Sequence, residues 1–283
     1  MLLTEEIDAT LTGVTQMNTP PAIMERVIAN VVSGMASPHS SQVCFRASSI
    51  GKPWILQVLG RWYPSEPVFS VSACMKMLDG IVAQAWAEEI LGIAQFNFER
   101  EREYRLLVGG TEVVGHSDIV VTNHASRQIS VVECKSMAGH IFQKFWKTPH
   151  DDYGYLSQLS FYTSMVRREN PTYKVEPVFL LFDRSLGQFK TVVISDSVIE
   201  AKFNRVESAL TDVAAIPMFD LVTLLDTVMI PPPIGGKIPP SMQWSKWAKC
   251  FYYEGEGREV YLHNKETSVK LLSNMTQNKL GGL

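Results

Sequence analysis

The stretch FNFEREREYRLLVGGTEVVGHSDIVVTNHASRQISVVECKS, residues 96–136, decides the fold. Its apolar residues alternate with polar ones or run together over three segments, 96–108, 111–121 and 128–136. Two glycines separate the first segment from the second, and a short polar stretch separates the second from the third. Because such breaks suit tight turns, the stretch predicts three consecutive antiparallel strands.

Further helices and strands are predicted on both sides of these three strands. In chain order they are a helix at 72–91, a helix at 152–168, strands at 175–184 and 188–194, and a helix at 196–214. The helices follow from apolar residues at helical spacing, and the strands from short apolar runs around a Ser-Leu-Gly turn. This order predicts an α/β (α+β) fold, with a central mixed sheet of about five strands flanked by helices.

Composition divides the chain into three parts. Residues 1–70 form a predicted amino-terminal helical segment, with helical spacing at 20–36 and 54–59, and residues 71–215 form the sheet domain. Residues 216–283 contain the Pro/Gly-rich linker PPPIGGKIPP and then an aromatic, basic extension with WSKWAKCFYY. Two interpretations of this extension stay open, namely stacking on single-stranded bases and packing of a terminal element on the core.

Charge and composition exclude several classes of protein. The 283 residues are 46% hydrophobic and carry a formal charge of -3, so a nucleic-acid role needs a local basic surface. The four cysteines lie far apart without zinc spacing, and no Walker signature is present, so we expect neither zinc nor ATP. Without a signal peptide or a long apolar run, we expect a cytoplasmic protein, in the host cytoplasm if viral, that does not contact membranes.

The second and third predicted strands carry a group of charged residues. Glu133 and Lys135 are two positions apart and therefore share one face of their strand, and a tight turn brings Asp118 alongside them. The competing interpretation is an exposed cross-strand ion pair worth a few tenths of a kcal/mol. We favour a buried group, because the flanking residues are apolar. Glu200-Ala201-Lys202 has the same form in a polar helix, and we interpret it as a solvated face.

Two carboxylates buried together need a compensating cation. Their burial costs several kcal/mol otherwise, so the group predicts a hard divalent ion with oxygen ligands, Mg²⁺ or Mn²⁺. A lysine beside such an ion can orient water, and the ion lowers the pKa of that water. This combination is suited to attack on phosphodiesters.

The sequence resembles the PD-(D/E)xK nuclease superfamily, in its RecB-like and phage-exonuclease branch. The resemblance rests on G-H-S-D at 115–118, E-C-K at 133–135, and Q-L-S-F-Y, in which Gln158 and Tyr162 match the Q-x-x-x-Y motif of the branch. Three flanking features add to the resemblance. Gly80 and Glu88 match the helix that precedes the core strands in this branch, and either Glu101 or Glu103 matches its acidic strand. RASSIG at 46–51 resembles a short amino-terminal motif of phage members.

The resemblance implies a restriction-endonuclease-like core and roles for particular residues. Asp118, Glu133 and the backbone carbonyl of Cys134 would hold one metal ion, with Glu88 helping at a second. Lys135 would position the attacking water, and Gln158 and Tyr162 would hold the scissile strand. The residues expected to contact DNA are Tyr155, Lys144, Lys147 and His116. A hydrogen-bonded strand histidine is the competing interpretation of His116, and a solvated loop is the equal alternative for Lys144 and Lys147.

The chain departs from the family pattern at three places. Ser117-Asp118 replaces Pro-Asp, and Gln84 stands where many members carry a metal-binding histidine. Some relatives hold an iron-sulfur cluster with four cysteines, whereas the corresponding late region here has only Cys250. One thiolate cannot hold such a cluster, so we expect none.

The resemblance implies a Mg²⁺-dependent exonuclease that acts on linear DNA ends in phage-type degradation, replication or recombination. The alternatives are a structure-specific or nicking endonuclease, which would use the same residues, and a non-catalytic DNA-binding recombination accessory. The expected partner is DNA, either single-stranded or at a duplex end. By analogy the family also allows a homo-oligomer and a single-strand-annealing or replication protein as partners.

Overall fold

The computed structural model describes residues 3–14, 24–29, 45–51, 71–151 and 154–214, and three short strands nearer the carboxyl end. The helices within these residues are α1 (Leu3–Val14), α2 (Val71–Ile93), α3 (Gly139–Lys147), α4 (Tyr155–Glu169) and α5 (Asp196–Ala214), and 24–29 is also helical. The strands of the main sheet are β1 (Phe45–Arg46), β2 (Phe98–Val108), β3 (Thr111–Asn123), β4 (Gln128–Met137), β5 (Lys174–Asp183) and β6 (Gln188–Val193). The remaining strands are β7 (Met242–Ser245), β8 (Cys250–Tyr253) and β9 (Val260–Tyr261).

The main sheet is mixed and has six strands. Strands β2, β3 and β4 pair antiparallel in succession, β4 pairs parallel with β5, and β5 pairs antiparallel with β6. The predicted fold class is therefore confirmed. The sixth strand, β1, pairs parallel with β3 and was not predicted. It has only two residues, so it is too short to show the alternation on which strand prediction depends.

The parallel pairing of β4 with β5 determines where the helices lie. Parallel neighbours need a long crossover, and residues 138–173 supply one that contains α3 and α4. These two helices and α5 cover one face of the sheet, whereas α1 and α2 cover the other. Neighbouring residues of β4 follow this division, because Val131 belongs to the first core layer and Val132 to the second.

The amino-terminal helix α1 is part of the second core layer. Its Ile7 is fully buried. Thr4 Oγ1 donates a hydrogen bond to Glu176 of β5 over 2.8 Å, and Asp8 Oδ1 accepts from the main-chain nitrogen of Thr191 in β6 over 3.0 Å. Both polar contacts join α1 to the sheet, so this helix stabilises the strands that it covers.

Replacing Ile7 with alanine is expected to lower the free energy of unfolding by about 2–5 kcal/mol, because it leaves a cavity between α1 and the sheet. Chemical denaturation followed by circular dichroism measures this loss. The control is Ala9→Ser at an exposed position of α1, with an expected change within about 0.5 kcal/mol. Equal stability of the two variants would show that α1 is not packed on the sheet.

Several sequence predictions concern residues near the two ends of the chain. The helix predicted at 54–59 and the Pro/Gly-rich linker at 231–240 lie outside the described residues, and of the helix predicted at 20–36 the residues 24–29 are described and helical. In the carboxy-terminal extension, β7, β8 and β9 form an antiparallel sheet, which the sequence interpretation did not include. None of the described helices is both long enough and apolar enough to cross a membrane.

Candidate active site

The candidate site lies where β3 and β4 separate. Their ladder begins at the hairpin turn and ends at the pair Ile119 and Val132. Beyond this pair the main-chain nitrogen of Cys134 donates a hydrogen bond to Asp118 Oδ2 over 2.7 Å. A carboxylate thus takes the place that a strand carbonyl would occupy, and this bond fixes Asp118 against the strand that carries Glu133 and Lys135.

The pleat of β3 changes phase at Asp118. Val113 and Ile119 are six positions apart and would share a face in a regular strand, yet they belong to opposite core layers. On the neighbouring strand β2, Glu101 has a left-handed backbone conformation with φ 49°, and the pair of Glu101 and Asp118 is missing from an otherwise continuous ladder. The irregularity therefore affects both strands at the position of the aspartate.

Glu133 is buried with one carboxylate oxygen unsatisfied. The side chain is 1% exposed, its Oε1 accepts a hydrogen bond from Lys135 Nζ, and its Oε2 has no hydrogen-bond partner. Glu176 on β5 is a useful contrast, since it is also buried beside a lysine two positions away but has both oxygens bonded, to Lys174 and Thr4. A buried oxygen without a partner is costly, so Glu133 is suited to bind a further cation or donor.

The charges in the site shift one another's pKa values. Burial and the Glu133 charge raise the pKa of Asp118 well above its usual value, although Lys135 and the Cys134 amide oppose the shift. Burial also raises the pKa of Glu133. Burial alone would lower the pKa of Lys135, but the two carboxylates outweigh it and raise that pKa. The group thus contains two carboxyl groups and one ammonium. A second cation would balance the charge of both carboxylates.

Helix α4 covers this group with its motif residues. Gln158 Nε2 donates a hydrogen bond to Tyr162 Oη over 3.4 Å, as expected for residues four apart on a helix. Tyr162 is buried, and burial raises the pKa of its hydroxyl. At the start of α4 the ring of Tyr155 lies 5.0 Å from Lys135 Nζ, a cation–π contact. The structure thus places Gln158, Tyr162 and Tyr155 on the side of the sheet that Lys135 faces.

Gly115 allows this close approach of α4 to β3. A Cβ atom at this position would lie 2.3 Å from Ala47 Cβ and 2.9 Å from Tyr162 Oη. Ala47 belongs to the short 3₁₀ turn Ala47–Ser49, within the RASSIG motif. The glycine of G-H-S-D is therefore needed for packing beside the site.

Replacing Gly115 with alanine is expected to destabilise the protein by about 1–3 kcal/mol, because the added methyl group overlaps Ala47 and Tyr162. Thermal denaturation measures the effect. The control is Gly80→Ala in α2, where an added Cβ meets no atom within 4 Å, and this helix-favouring change should leave stability equal or higher. A Gly115→Ala protein as stable as wild type would contradict the packing described here.

The acidic residues of α2 and β2 lie at the border of the site. Gln84 Nε2 donates hydrogen bonds to Glu88 Oε1 over 3.0 Å and to Glu101 Oε1 over 2.7 Å, and Arg100 lies 3.4 Å from Glu88 Oε2. Burial raises the pKa of Glu88. Of the two acids proposed for β2, Glu101 is the one beside the group, because Glu103 pairs with Arg105 and His116 instead.

The residues present fit a divalent cation in their chemistry. The unpartnered Oε2 of Glu133, the carboxylate of Asp118 and the single compensating ammonium are a donor set that favours a hard metal ion. In the part of the chain that the structure describes, no three His, Cys, Asp or Glu side chains are gathered closely enough to hold one ion. A metal would therefore be held by two carboxylates, with a main-chain carbonyl and water completing its coordination.

The other residues predicted to contact DNA lie at the surface. His116 is exposed and lies 3.3 Å from Glu103 on the outside of the β2–β3 pair. Lys144 and Lys147 are exposed on α3. Cys134 is a free cysteine whose thiol pKa is raised by burial, so its side chain is not suited to be a nucleophile.

Sequence reasoning missed two features that position α4. Asp151 accepts hydrogen bonds from the main chain and hydroxyl of Ser157 over 3.2 and 2.6 Å, and it also pairs with Lys202 of α5. Gly51 of the RASSIG motif packs so closely on Gly154 that a Cβ at position 51 would lie 2.3 Å from the neighbouring Cα. The Asp151–Ser157 contact could not be predicted, because a separation of six residues does not match a helix-capping pattern. The close packing at Gly51 had a signal in the sequence, namely the glycine that ends RASSIG.

Comparison with known proteins gives a limited likeness. No protein-family model matches the chain, and no curated protein matches it in sequence. Among solved structures, SSO0001 is 13% identical with a TM-score of 0.42, over 71% of this chain and 85% of that one. LHK-Exo in complex with dAMP is 12% identical with a TM-score of 0.43, over 66% of this chain and 94% of that one. A phage-related exonuclease from Haemophilus somnus 129PT is 14% identical with a TM-score of 0.38, over 60% and 93% of the two chains. At these values, nothing about the residues or activity of this chain follows from the likeness.

Proposed function

We propose that this protein is a metal-dependent deoxyribonuclease that hydrolyses phosphodiester bonds as an exonuclease on linear DNA ends. The observation that carries the proposal is the convergence of Asp118, Glu133 and Lys135 in one group. Glu133 is buried and Asp118 and Lys135 are half-buried, and Glu133 Oε2 has no hydrogen-bond partner. Glu176, the other buried strand glutamate beside a lysine, has both of its oxygens bonded.

The expected cofactor is Mg²⁺ or Mn²⁺, held by Asp118, Glu133 and the main-chain carbonyl of Cys134. When bound, such an ion lowers the pKa of water and neutralises charge on a phosphate. Glu88, tied to Gln84 and Arg100, is the candidate to support a second ion.

The protein groups of the site have separable tasks. Because the two carboxylates raise the pKa of Lys135, this lysine acts as a charged donor, which orients the attacking water and stabilises negative charge on the phosphoryl oxygens. The Tyr155 ring holds the ammonium in place through the cation–π contact. Gln158 and Tyr162 present an amide and a hydroxyl on the same side, where they hold the DNA strand to be cut.

Incubation with two DNA substrates tests this proposal. Purified protein with Mg²⁺ or Mn²⁺ is given end-labelled linear DNA or covalently closed circular DNA of the same sequence. We expect release of nucleotides from the linear substrate and survival of the circle. Cutting of the circle would identify a structure-specific or nicking endonuclease with the same site, and inertness on both substrates with both metals would contradict the nuclease proposal and favour a DNA-binding accessory protein.

A further inference from the structure

The exposed side of α3 carries an aromatic ring among lysines. Trp146 is 38% exposed, whereas Phe142 of the same helix is buried and stacks on its ring at 27°. Lys144 and Lys147 are exposed, and the ammonium of Lys190 in β6 lies 5.5 Å from the centre of the Trp146 ring. We call Lys144, Trp146, Lys147 and Lys190 the tryptophan patch. Trp146 and Lys190 have no role in the site described above.

The tryptophan patch lies on the same side of the sheet as the candidate active site. Lys135 is paired with Leu181, and Leu181 is paired with Lys190, so the two lysines belong to one row across the sheet and share a face. Their main chains lie two strand spacings apart, or about 10 Å. The Tyr155 ring, which contacts Lys135, lies 6.0 Å from that of buried Phe145 on α3.

The lysines and the indole ring of the tryptophan patch indicate which class of ligand it would bind. Helix α3 has two lysines and no aspartate or glutamate, so the patch is locally positive although the whole chain has a formal charge of -3. A positive surface attracts a polyanion, and the part of the Trp146 indole that remains exposed can contact a flat apolar group. Single-stranded DNA offers both phosphates and accessible base faces, whereas the bases of a duplex are stacked on one another.

We propose that the tryptophan patch binds an unpaired nucleotide of single-stranded DNA, with the base on Trp146 and the phosphates near Lys190 and the α3 lysines. This inference rests on the proposed nuclease function, which it deepens by naming the strand type that the site accepts. In this proposal, the strand that reaches Lys135 continues over α3 towards the β6 edge.

Binding in the absence of metal tests the inference without cleavage. Anisotropy of a fluorescein-labelled oligonucleotide is measured in EDTA for the full chain, with a single strand and with a blunt duplex of equal length. We expect Trp146→Ala to raise the Kd for the single strand by about 5- to 150-fold, since stacking on one base contributes ~1–3 kcal/mol. Trp146→Phe, which keeps a ring, should stay within about threefold of wild type, and duplex binding should change less than about twofold.

Two further variants and one spectroscopic measurement serve as controls for this binding experiment. Leu186→Ala, at an exposed apolar residue outside the patch, should bind as wild type does. Lys190→Gln should reduce the slope of log K against log salt by about 0.7, the value for one phosphate contact on a single strand. Tryptophan quenching by the oligonucleotide should be larger in wild type than in Trp146→Phe, which reports stacking even if Trp146→Ala is poorly folded.

The outcomes separate this inference from the proposed function. Wild-type affinity of Trp146→Ala for the single strand, or equal loss of single-strand and duplex binding, would overturn the tryptophan patch and leave the nuclease proposal standing. A wild-type protein that binds single strands through Trp146 but cleaves no DNA with either metal would support the patch and contradict the nuclease activity.

Discussion

Replacing Lys135 with alanine should reduce DNA cleavage by about 10²–10⁴-fold. The ammonium is a donor close to both carboxylates, and its removal takes away the group that orients water and opposes charge on the phosphate. Initial rates on labelled DNA with saturating Mg²⁺ measure the loss. We expect most of it in kcat, because the charge that Lys135 stabilises develops during the reaction.

Lys174→Ala is a matched control for this substitution. Lys174 also pairs with a buried glutamate two positions away on a strand, but it lies at the opposite end of the sheet and is 60% exposed. We expect cleavage within about twofold of wild type, because Lys174 lies away from the groups that would act on DNA. A Lys135→Ala protein that is correctly folded and as active as Lys174→Ala would remove Lys135 from the reaction.

Replacing Glu133 with glutamine should abolish stabilisation of the protein by Mg²⁺ or Mn²⁺. The substitution keeps the shape of the side chain but removes the charge and one acceptor oxygen next to Asp118. A ligand that binds only the folded state stabilises it by about 2.7 kcal/mol at one hundred times its Kd. Thermal denaturation with and without metal measures this gain, which we expect in wild type and not in the variant.

Glu176→Gln is the matched control, because Glu176 is a buried strand glutamate whose two oxygens already have partners. This variant loses stability with its ion pair but should keep the full metal-dependent rise in melting temperature. Chelation by EDTA should return wild-type protein to its metal-free melting temperature. An equal rise with metal in Glu133→Gln and wild type would show that Glu133 does not hold the ion.

Local patterns in the sequence were sufficient for most of the sheet. Segments 96–108, 111–121 and 128–136 correspond to β2, β3 and β4, and the helix predicted at 72–91 corresponds to α2. These elements are long, and their hydrophobic period is undisturbed over most of their length, so neighbouring residues alone specify them. The face shared by Glu133 and Lys135 follows from the same period.

The sequence by itself thus determined the fold class, the order of the strands β2 to β6 and of the helices α2, α4 and α5, and the residue types of the candidate site. Only the tertiary structure decided that Asp118 binds the amide of Cys134, that Glu101 and not Glu103 lies beside it, and that Gly115 makes room for Tyr162. The reason is that each of these contacts joins segments that are distant along the chain, at a position where the pleat of β3 changes phase. A period of two residues describes a regular strand and carries no information about where that regularity is broken.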